Sequence, residues 1–384
     1  MSQDHGGDAV VETRPSIVTS GPLGQLTGVV AVVGERAQRV HWLAFAVVVV
    51  AIGGLRFGPK PVGSGFIASF VESAEAFPAK VNQNSSSLGI VLLMRLFGID
   101  RDLEWWLVAI VASGAGLLAL GLALRRLPTW WRAVLVVVVL SPAFGVAVGL
   151  IGHYDLFTIA GSVVAIVARR RLVAVLGVVI ACLGNPEQML IAIVALGIVS
   201  AGVRQLRARA GLIGILVVLW NIGLRILHSA DNARLSLLVD RGMLLTSLRR
   251  WLADWPLATW AFLGPLWIVL AICLIGRSWR SRLAIIAGCV VVPAVASIAT
   301  LDGTRVFVAT GLAALVGVIT VTWRERWSGQ PADARLLGFA VLCLVFVPPV
   351  IMLPSDAGLL HQPYDSLLNV LGWIFGPEKM STNR

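Results

Sequence analysis

Charge is sorted along an otherwise greasy chain. Short arginine-rich links alternate, one apolar segment after another, with short links that carry His, Asp, Glu and Asn. The arginine links are Arg125-Arg126, Arg169-Arg170-Arg171, Arg204/Arg207/Arg209, Arg277/Arg280/Arg282 and Arg324/Arg326. Between them come Gly152-His153-Tyr154-Asp155, Asn185-Pro186-Glu187-Gln188, the stretch from His228 to Asp254, Asp302-Gly303-Thr304-Arg305, and the stretch from His361 to Asp365. Membrane proteins keep Lys and Arg in their cytoplasmic links. The alternation therefore describes a chain that passes back and forth, with two chemically unlike faces.

Composition supports the same class. Hydrophobic residues make up 58% of the 384, where a soluble domain has roughly half. Several segments approach the ~20 apolar residues needed to cross a bilayer. The expected fold is an all-α polytopic membrane protein with about eleven transmembrane helices. They fall near 41–57, 104–124, 132–150, 155–168, 172–184, 188–203, 211–227, 256–276, 283–300, 305–323 and 336–353. Residues 1–38 read as a polar, disordered cytoplasmic tail. Residues 39–353 form the transmembrane domain, with outer loops at 58–103 and 228–255. Residues 354–384 read as an extracytoplasmic or interfacial tail.

With the amino terminus inside a bacterial plasma membrane, 18 of the 31 Lys and Arg residues are cytoplasmic and 13 lie outside. Acidic residues go the other way, with 6 of 20 inside and 14 outside. Only the Lys and Arg bias sets orientation. The acidic excess outside is a separate fact and points to function there. The net charge of +11 is no argument for nucleic acid, because the basic residues are spread over short links that serve topology and anionic lipid. Cys182, Cys273, Cys289 and Cys343 all fall in apolar segments without metal-ligand spacing and read as small buried hydrophobes.

The outer links hold the candidate chemistry. Glu72 and Glu75, three apart, share one face of any helix they sit on. They could supply a general base or hold a divalent metal, which the sequence allows but does not require; the plain alternative is a solvated acidic patch. His153 and Asp155 sit in a very tight turn at membrane depth, where a charge is costly and is usually kept for a task. Their plain reading is a polar turn, with Asp155 capping the next helix. Asn185-Pro186 is a turn signal with proline at the first helical position, and Glu187 suits that helix's N-terminus. Asp302 and Arg305 flank a glycine turn. Arg305 is suited to a phosphate through bidentate hydrogen bonds, or to an ion pair with Asp302. The 228–255 loop reads as an amphipathic interfacial helix. Its Arg234, Arg241, Arg249 and Arg250 could hold a phosphate head group or ordinary anionic lipid.

Two stretches add a resemblance. Val81-Asn82-Gln83-Asn84-Ser85-Ser86-Ser87-Leu88, followed by Leu93-Met94-Arg95-Leu96-Phe97-Gly98, is similar to the Asn-Gln-Ser-Leu and Arg-Leu-Leu-Gly stretch of polyprenol-phosphate-mannose-dependent mannosyl- and arabinosyltransferases. The hairpin from Gly152 through Arg169-Arg170-Arg171 to Asn185-Pro186-Glu187 resembles theirs too. These belong to the GT-C superfamily of membrane glycosyltransferases. Two departures stand out: Glu72 and Glu75 replace the usual first-loop Asp, and Asn185-Pro186-Glu187 replaces a Lys-x-x-Pro.

The resemblance implies transfer of a sugar from a polyprenyl-phosphate donor to a lipid-linked or cell-wall glycan on the outer face of the plasma membrane. On that reading Glu72, Glu75 and Asp155 are the catalytic candidates. His153, Asn185, Glu187, Arg234, Arg241, Asp302 and Arg305 contact substrate or phosphate. The alternatives are a polysaccharide polymerase or ligase acting on polyprenyl-pyrophosphate glycan, a transporter, and a non-catalytic membrane protein.

Overall fold

The computed structural model describes residues 22–58, 62–111, 131–228, 241–253, 255–300, 303–326, 334–347, 350–352 and 359–361. The helices in chain order are α1 (Pro22–Arg39), α2 (Trp42–Phe57), α3 (Ser64–Ala76), α4 (Leu88–Phe97), α5 (102–111), α6 (Trp131–Leu140), α7 (Pro142–Gly149) and α8 (Asp155–Val167). There follow α9 (Arg171–Gly184), α10 (Pro186–Gly202), α11 (Arg207–Leu227), α12 (Arg241–Ala253), α13 (Trp255–Leu263), α14 (Leu266–Leu274), α15 (Trp279–Thr300), α16 (Gly303–Arg326) and α17 (Ala334–Phe346). The one exception to helix is a small antiparallel pair, Val350–Met352 with Leu359–His361.

Each of the eleven expected apolar segments carries helix in its described part. Length separates them. Among the described residues, three helices are long and apolar enough to cross a membrane: Arg204–Leu227, Trp279–Thr300 and Gly303–Arg326. Two bent pairs, α6 with α7 at 61° and α13 with α14 at 76°, raise the number to five. The other apolar helices are shorter, because polar turns and glycine or proline cut them off early. Each bend has a local cause. Pro142 and Pro265 remove a backbone donor at the break. The two breaks face each other, since a Cβ built on Gly264 lies 3.1 Å from Pro142 Cδ.

The main core gathers side chains from α8 to α11 and α13 to α16 around Leu196, Phe262, Phe307 and Leu315. A second core joins α1, α2, α6, α7 and α17. A third joins α3, α4 and α5 to Tyr154. The α8–α9 hairpin is close-packed: a Cβ on Gly161 would come 2.4 Å from the Ala181 nitrogen, and one on Gly177 2.5 Å from the Ala165 nitrogen. Small residues let two helix backbones approach this closely.

One boundary needs correction. Residues 22–38, expected within a disordered tail, form most of α1, which lies along α17. The cause is a glycine crossing that the charged end of α1 obscures in the sequence. A Cβ on Gly34 would overlap the Ala334 carbonyl, and one on Gly338 would overlap that of Val30.

The alternation of links becomes two ends of one bundle. At one end, Arg209 Nη2 donates to the Ala168 carbonyl at 2.5 Å, Gln205 Nε2 to Glu325 at 2.8 Å, and Ser281 Oγ to the Gly202 carbonyl at 2.9 Å. Arg277 pairs with Glu325 at 2.7 Å there. Every partner in this set belongs to an arginine link or the helix end beside it. Among the described residues, the turns at 152–155, 185–188 and 303–305 meet at the opposite end.

Candidate functional site

At that opposite end, three ionisable side chains converge from two helices and the turn between α7 and α8. Arg305 Nε lies 3.3 Å from Asp155 Oδ2. His153 Nδ1 lies 3.3 Å from the same oxygen. Arg305 Nη1 lies 2.6 Å from His153 Nε2. Asp155 is 1% exposed and His153 6%. A carboxylate this deeply buried is sustained by the guanidinium beside it. The expected cap is not formed: Tyr154 precedes the helix, and Asp155 is its first residue, turned to Arg305.

Each member is held from behind. Gly152 has φ +92°, and a Cβ there would come 2.7 Å from Trp105 Nε1, so the turn accepts only glycine without displacement. The Val62 N–H donates to the Ile151 carbonyl at 3.0 Å, tying the first outer loop to this turn. Phe66 on α3 stacks on the His153 ring at 4.8 Å between centroids, and Phe70 packs against Tyr154 at 6.0 Å. On the Arg305 side, Thr304 Oγ1 donates to the Ala261 carbonyl at 2.9 Å, and Ser297 Oγ donates to the Gly303 carbonyl. These contacts fix the first turn of α16.

The second polar turn abuts the first. Thr158 Oγ1 donates to the Ala181 carbonyl at 3.2 Å and accepts from the Asn185 N–H at 2.8 Å. A Cβ on Gly184 would sit 2.5 Å from the Tyr154 carbonyl oxygen, so the two turns touch backbone to backbone. Asn185 caps α10, its Oδ1 accepting from the Gln188 N–H at 3.1 Å, with Pro186 at the first helical position as the sequence signalled. Glu187 is half-buried in the first turn of α10.

Glu72 and Glu75 are placed differently. Both are exposed, on the face of α3 opposite to buried Ile67, Phe70 and Ser73, so α3 turns its aromatic face to His153 and its carboxylates away. Asn82 Nδ2 donates to Glu72 Oε2 at 3.1 Å. The stretch that carries the family resemblance is tied to this helix: Ser73 Oγ donates to Asn82 Oδ1 at 3.0 Å, and Asn84 Nδ2 to Ser69 Oγ at 2.7 Å. Asn84 is buried.

Arg234, Asp302 and the Arg241 side chain lie outside the described residues. Arg241 opens α12, which packs on the outer part of α15 and leaves Leu245, Leu248 and Leu252 exposed along one face, as an interfacial helix would. Among the described residues, no group of three or more His, Cys, Asp or Glu side chains is placed to hold a metal ion. Cys182, Cys273 and Cys289 are buried free thiols.

Sequence reasoning missed Phe66, Phe70 and Thr158. The signal for Thr158 was its position one turn after Asp155. Phe66 and Phe70 were visible only as an ordinary i, i+4 apolar pair. Comparison with family models, curated proteins and solved structures finds no match to this chain.

Proposed function

We propose that this protein is a membrane glycosyltransferase of GT-C type, with about eleven spans and a site open to the outer face of a bacterial plasma membrane. The observation that carries the reading is the Asp155–His153–Arg305 cluster. It joins a carboxylate, an imidazole and a guanidinium at the end of the bundle away from the arginine links. The donor would be a polyprenyl-phosphate sugar and the acceptor a lipid-linked or cell-wall glycan.

Helix length supports a lipid-borne substrate. The thirteen residues of α8 rise only about 20 Å at ~1.5 Å each, against a hydrocarbon core of about 30 Å. With Arg169-Arg170-Arg171 at the inner surface, the Asp155 turn lies below the outer one, at the depth of a lipid phosphate. In the transfer, an acceptor hydroxyl oxygen forms the new bond to the anomeric carbon as that carbon's bond to the phosphate oxygen breaks. The hydroxyl proton passes to the Asp155–His153 pair. The leaving phosphate keeps the electron pair and is met by Arg305. Asn185 and Glu187, on the adjoining turn, would orient sugar hydroxyls.

The test is transfer by purified variants with labelled polyprenyl-phosphate sugars. Asp155→Asn should lose about 10²–10⁴-fold, the usual contribution of a positioned acid or base, with expression retained. Glu72→Gln and Glu75→Gln, on the outward face of α3, should keep most activity. Full transfer by Asp155→Asn would remove the cluster from the chemistry, and loss in Glu72→Gln alone would move the base to the first outer loop.

A second reading, translocation of a lipid-linked substrate, is favoured by the paired helix breaks. Beside them lies a small apolar cavity of about 10 Å³, lined by Phe262, Leu266, Phe307, Val308 and Leu312 among others. Broken helices of this kind line substrate paths in transporters. Passage of a labelled lipid-linked sugar across vesicles, with no covalent transfer from any donor, would favour this reading.

A further inference from the structure

The three side chains of the cluster engage one another. Guanidinium groups only donate, so the 2.6 Å contact makes His153 Nε2 the acceptor for Arg305 Nη1. The ring proton then sits on Nδ1, 3.3 Å from the Asp155 carboxylate. The Asp155 backbone N–H also approaches Nδ1, at 3.2 Å. Two donors cannot face each other at the shorter distance, so the Arg305 contact decides the tautomer. A second proton, on Nε2, would point straight at the guanidinium. While Arg305 holds the ring, His153 is neutral and its lone pair is occupied.

The three groups also differ in access. The Arg305 side chain is 11% exposed, that of His153 7% and that of Asp155 1%. An incoming anion therefore meets Arg305 first. Asp155 from α8, Arg305 from α16 and the adjacent Tyr154 face His153, and Phe66 of α3 stacks on its ring.

We infer that Arg305 is an anion-operated clasp: a phosphate-bearing ligand draws the guanidinium away and releases His153 Nε2 as the proton acceptor, backed by Asp155. Ligand binding and proton uptake at His153 are then one coupled event. The inference rests on the reading of Arg305 as the group that receives the substrate phosphate. It adds that the site is inert as a base until the anion arrives. Idle hydrolysis of a reactive donor is thereby avoided, because the base forms only with the phosphate in place.

The test is ¹⁵N NMR of the histidine rings and arginine guanidinium groups of the full chain in nanodiscs, with the His153 signal assigned through His153→Gln and the Arg305 signal through Arg305→Lys. One arm adds sulfate, which carries no titrating proton near neutrality. The other replaces phosphatidylcholine with phosphatidylglycerol, a lipid phosphodiester, so a free and a lipid-borne anion are separated. Without anion, His153 should show the neutral Nδ1–H form even below the ordinary histidine pKa of ~6.5. With anion its titration midpoint should rise by about one pH unit or more, equivalent to a tenfold coupling. In Arg305→Lys the anion-free midpoint should already be high and move little.

If the Arg305 signals respond to anion while His153 titrates unchanged, the clasp is overturned and the anion site stands. If neither anion perturbs Arg305 or His153, the anion site itself is overturned. A response to phosphatidylglycerol alone assigns the site to lipid phosphates, and a response to sulfate supports a site that free anions also reach.

Discussion

Arg305, at the start of α16, and Asp155, at the start of α8, meet as a buried ion pair at 3.3 Å. Their helices pack along much of α8, so the pair joins two N-termini that backbone dipoles alone would make positive. The Asp155 carboxylate balances the guanidinium charge and sits where both dipoles favour an anion.

This pairing sets a stability prediction. Arg305→Met leaves Asp155 buried without its partner and should cost on the order of 3–5 kcal/mol. Asp155→Asn leaves a guanidinium that still reaches solvent and should cost less. The double variant, with no charge to compensate, should recover a large part of the Arg305→Met loss. Thermal unfolding of the four forms in one detergent checks this, and strict additivity would show that the pair carries no coupling.

Gly152→Ala should be among the most damaging small substitutions. The left-handed backbone costs a non-glycine residue about 1–2 kcal/mol, and the new methyl meets Trp105 Nε1 at 2.7 Å. Trp105→Phe in the same chain should relieve the contact but not the backbone strain. Unfolding temperature should therefore recover only in part, and full recovery would place the whole cost in the clash.

Thr158→Val keeps shape and removes one hydroxyl. It removes the nearer of two acceptors from the buried Asn185 N–H, which donates to Thr158 Oγ1 at 2.8 Å and to the Ala181 carbonyl at 3.3 Å, at a cost of about 1 kcal/mol. The turn carrying Asn185 and Glu187 would lose its tie to the Asp155 helix. Hydrogen exchange at 184–188 should accelerate while exchange in the middle of α9 stays slow. Unchanged protection at 184–188 would show that Gly184 packing alone holds the turns together.

His228 should make the outer end of α11 sensitive to acid. Burial disfavours its charged form, and the Lys80 ammonium adds to this, with a smaller opposing pull from the Pro78 backbone, so its pKa lies below the ordinary value. The unfolded chain then binds the proton at higher pH than the folded one. Stability is full above the unfolded value of ~6.5 and falls as pH drops from there toward the folded value. Exchange at 78–80 and 225–228 should quicken below about pH 6.5 in the wild type. In His228→Phe this dependence should be absent.

The helical class, and among the described residues the helices of the apolar segments and the two ends to which the links sort, were legible in the sequence. Periodicity of apolar residues and the placement of arginine are local properties, and both are enforced by the solvent on either side of a bilayer. Asn185-Pro186 announced its turn for the same reason: cap and proline act within four residues. Less was legible where the outcome depends on what a segment meets. The docking of α1 depends on Gly34 meeting Gly338, and no single helix records that. The bends at Pro142 and Pro265 could be marked as breaks but not as touching.

The candidate site divides along the same line. The sequence by itself determined that His153, Asp155, Glu187 and Arg305 share an end of the molecule, because each lies in a short link of one kind. It could not choose among them or weigh them against Glu72 and Glu75, since all are polar residues in outer links. Only the tertiary structure decided that His153, Asp155 and Arg305 form one buried cluster while Glu72 and Glu75 face outward. The physical reason is rotation: Phe66 and Phe70 bury one side of α3 against the His153 turn, and the carboxylates are carried to the other. Which end of the bundle a link occupies follows its own charges, but the direction of a side chain is set by the helix it packs against.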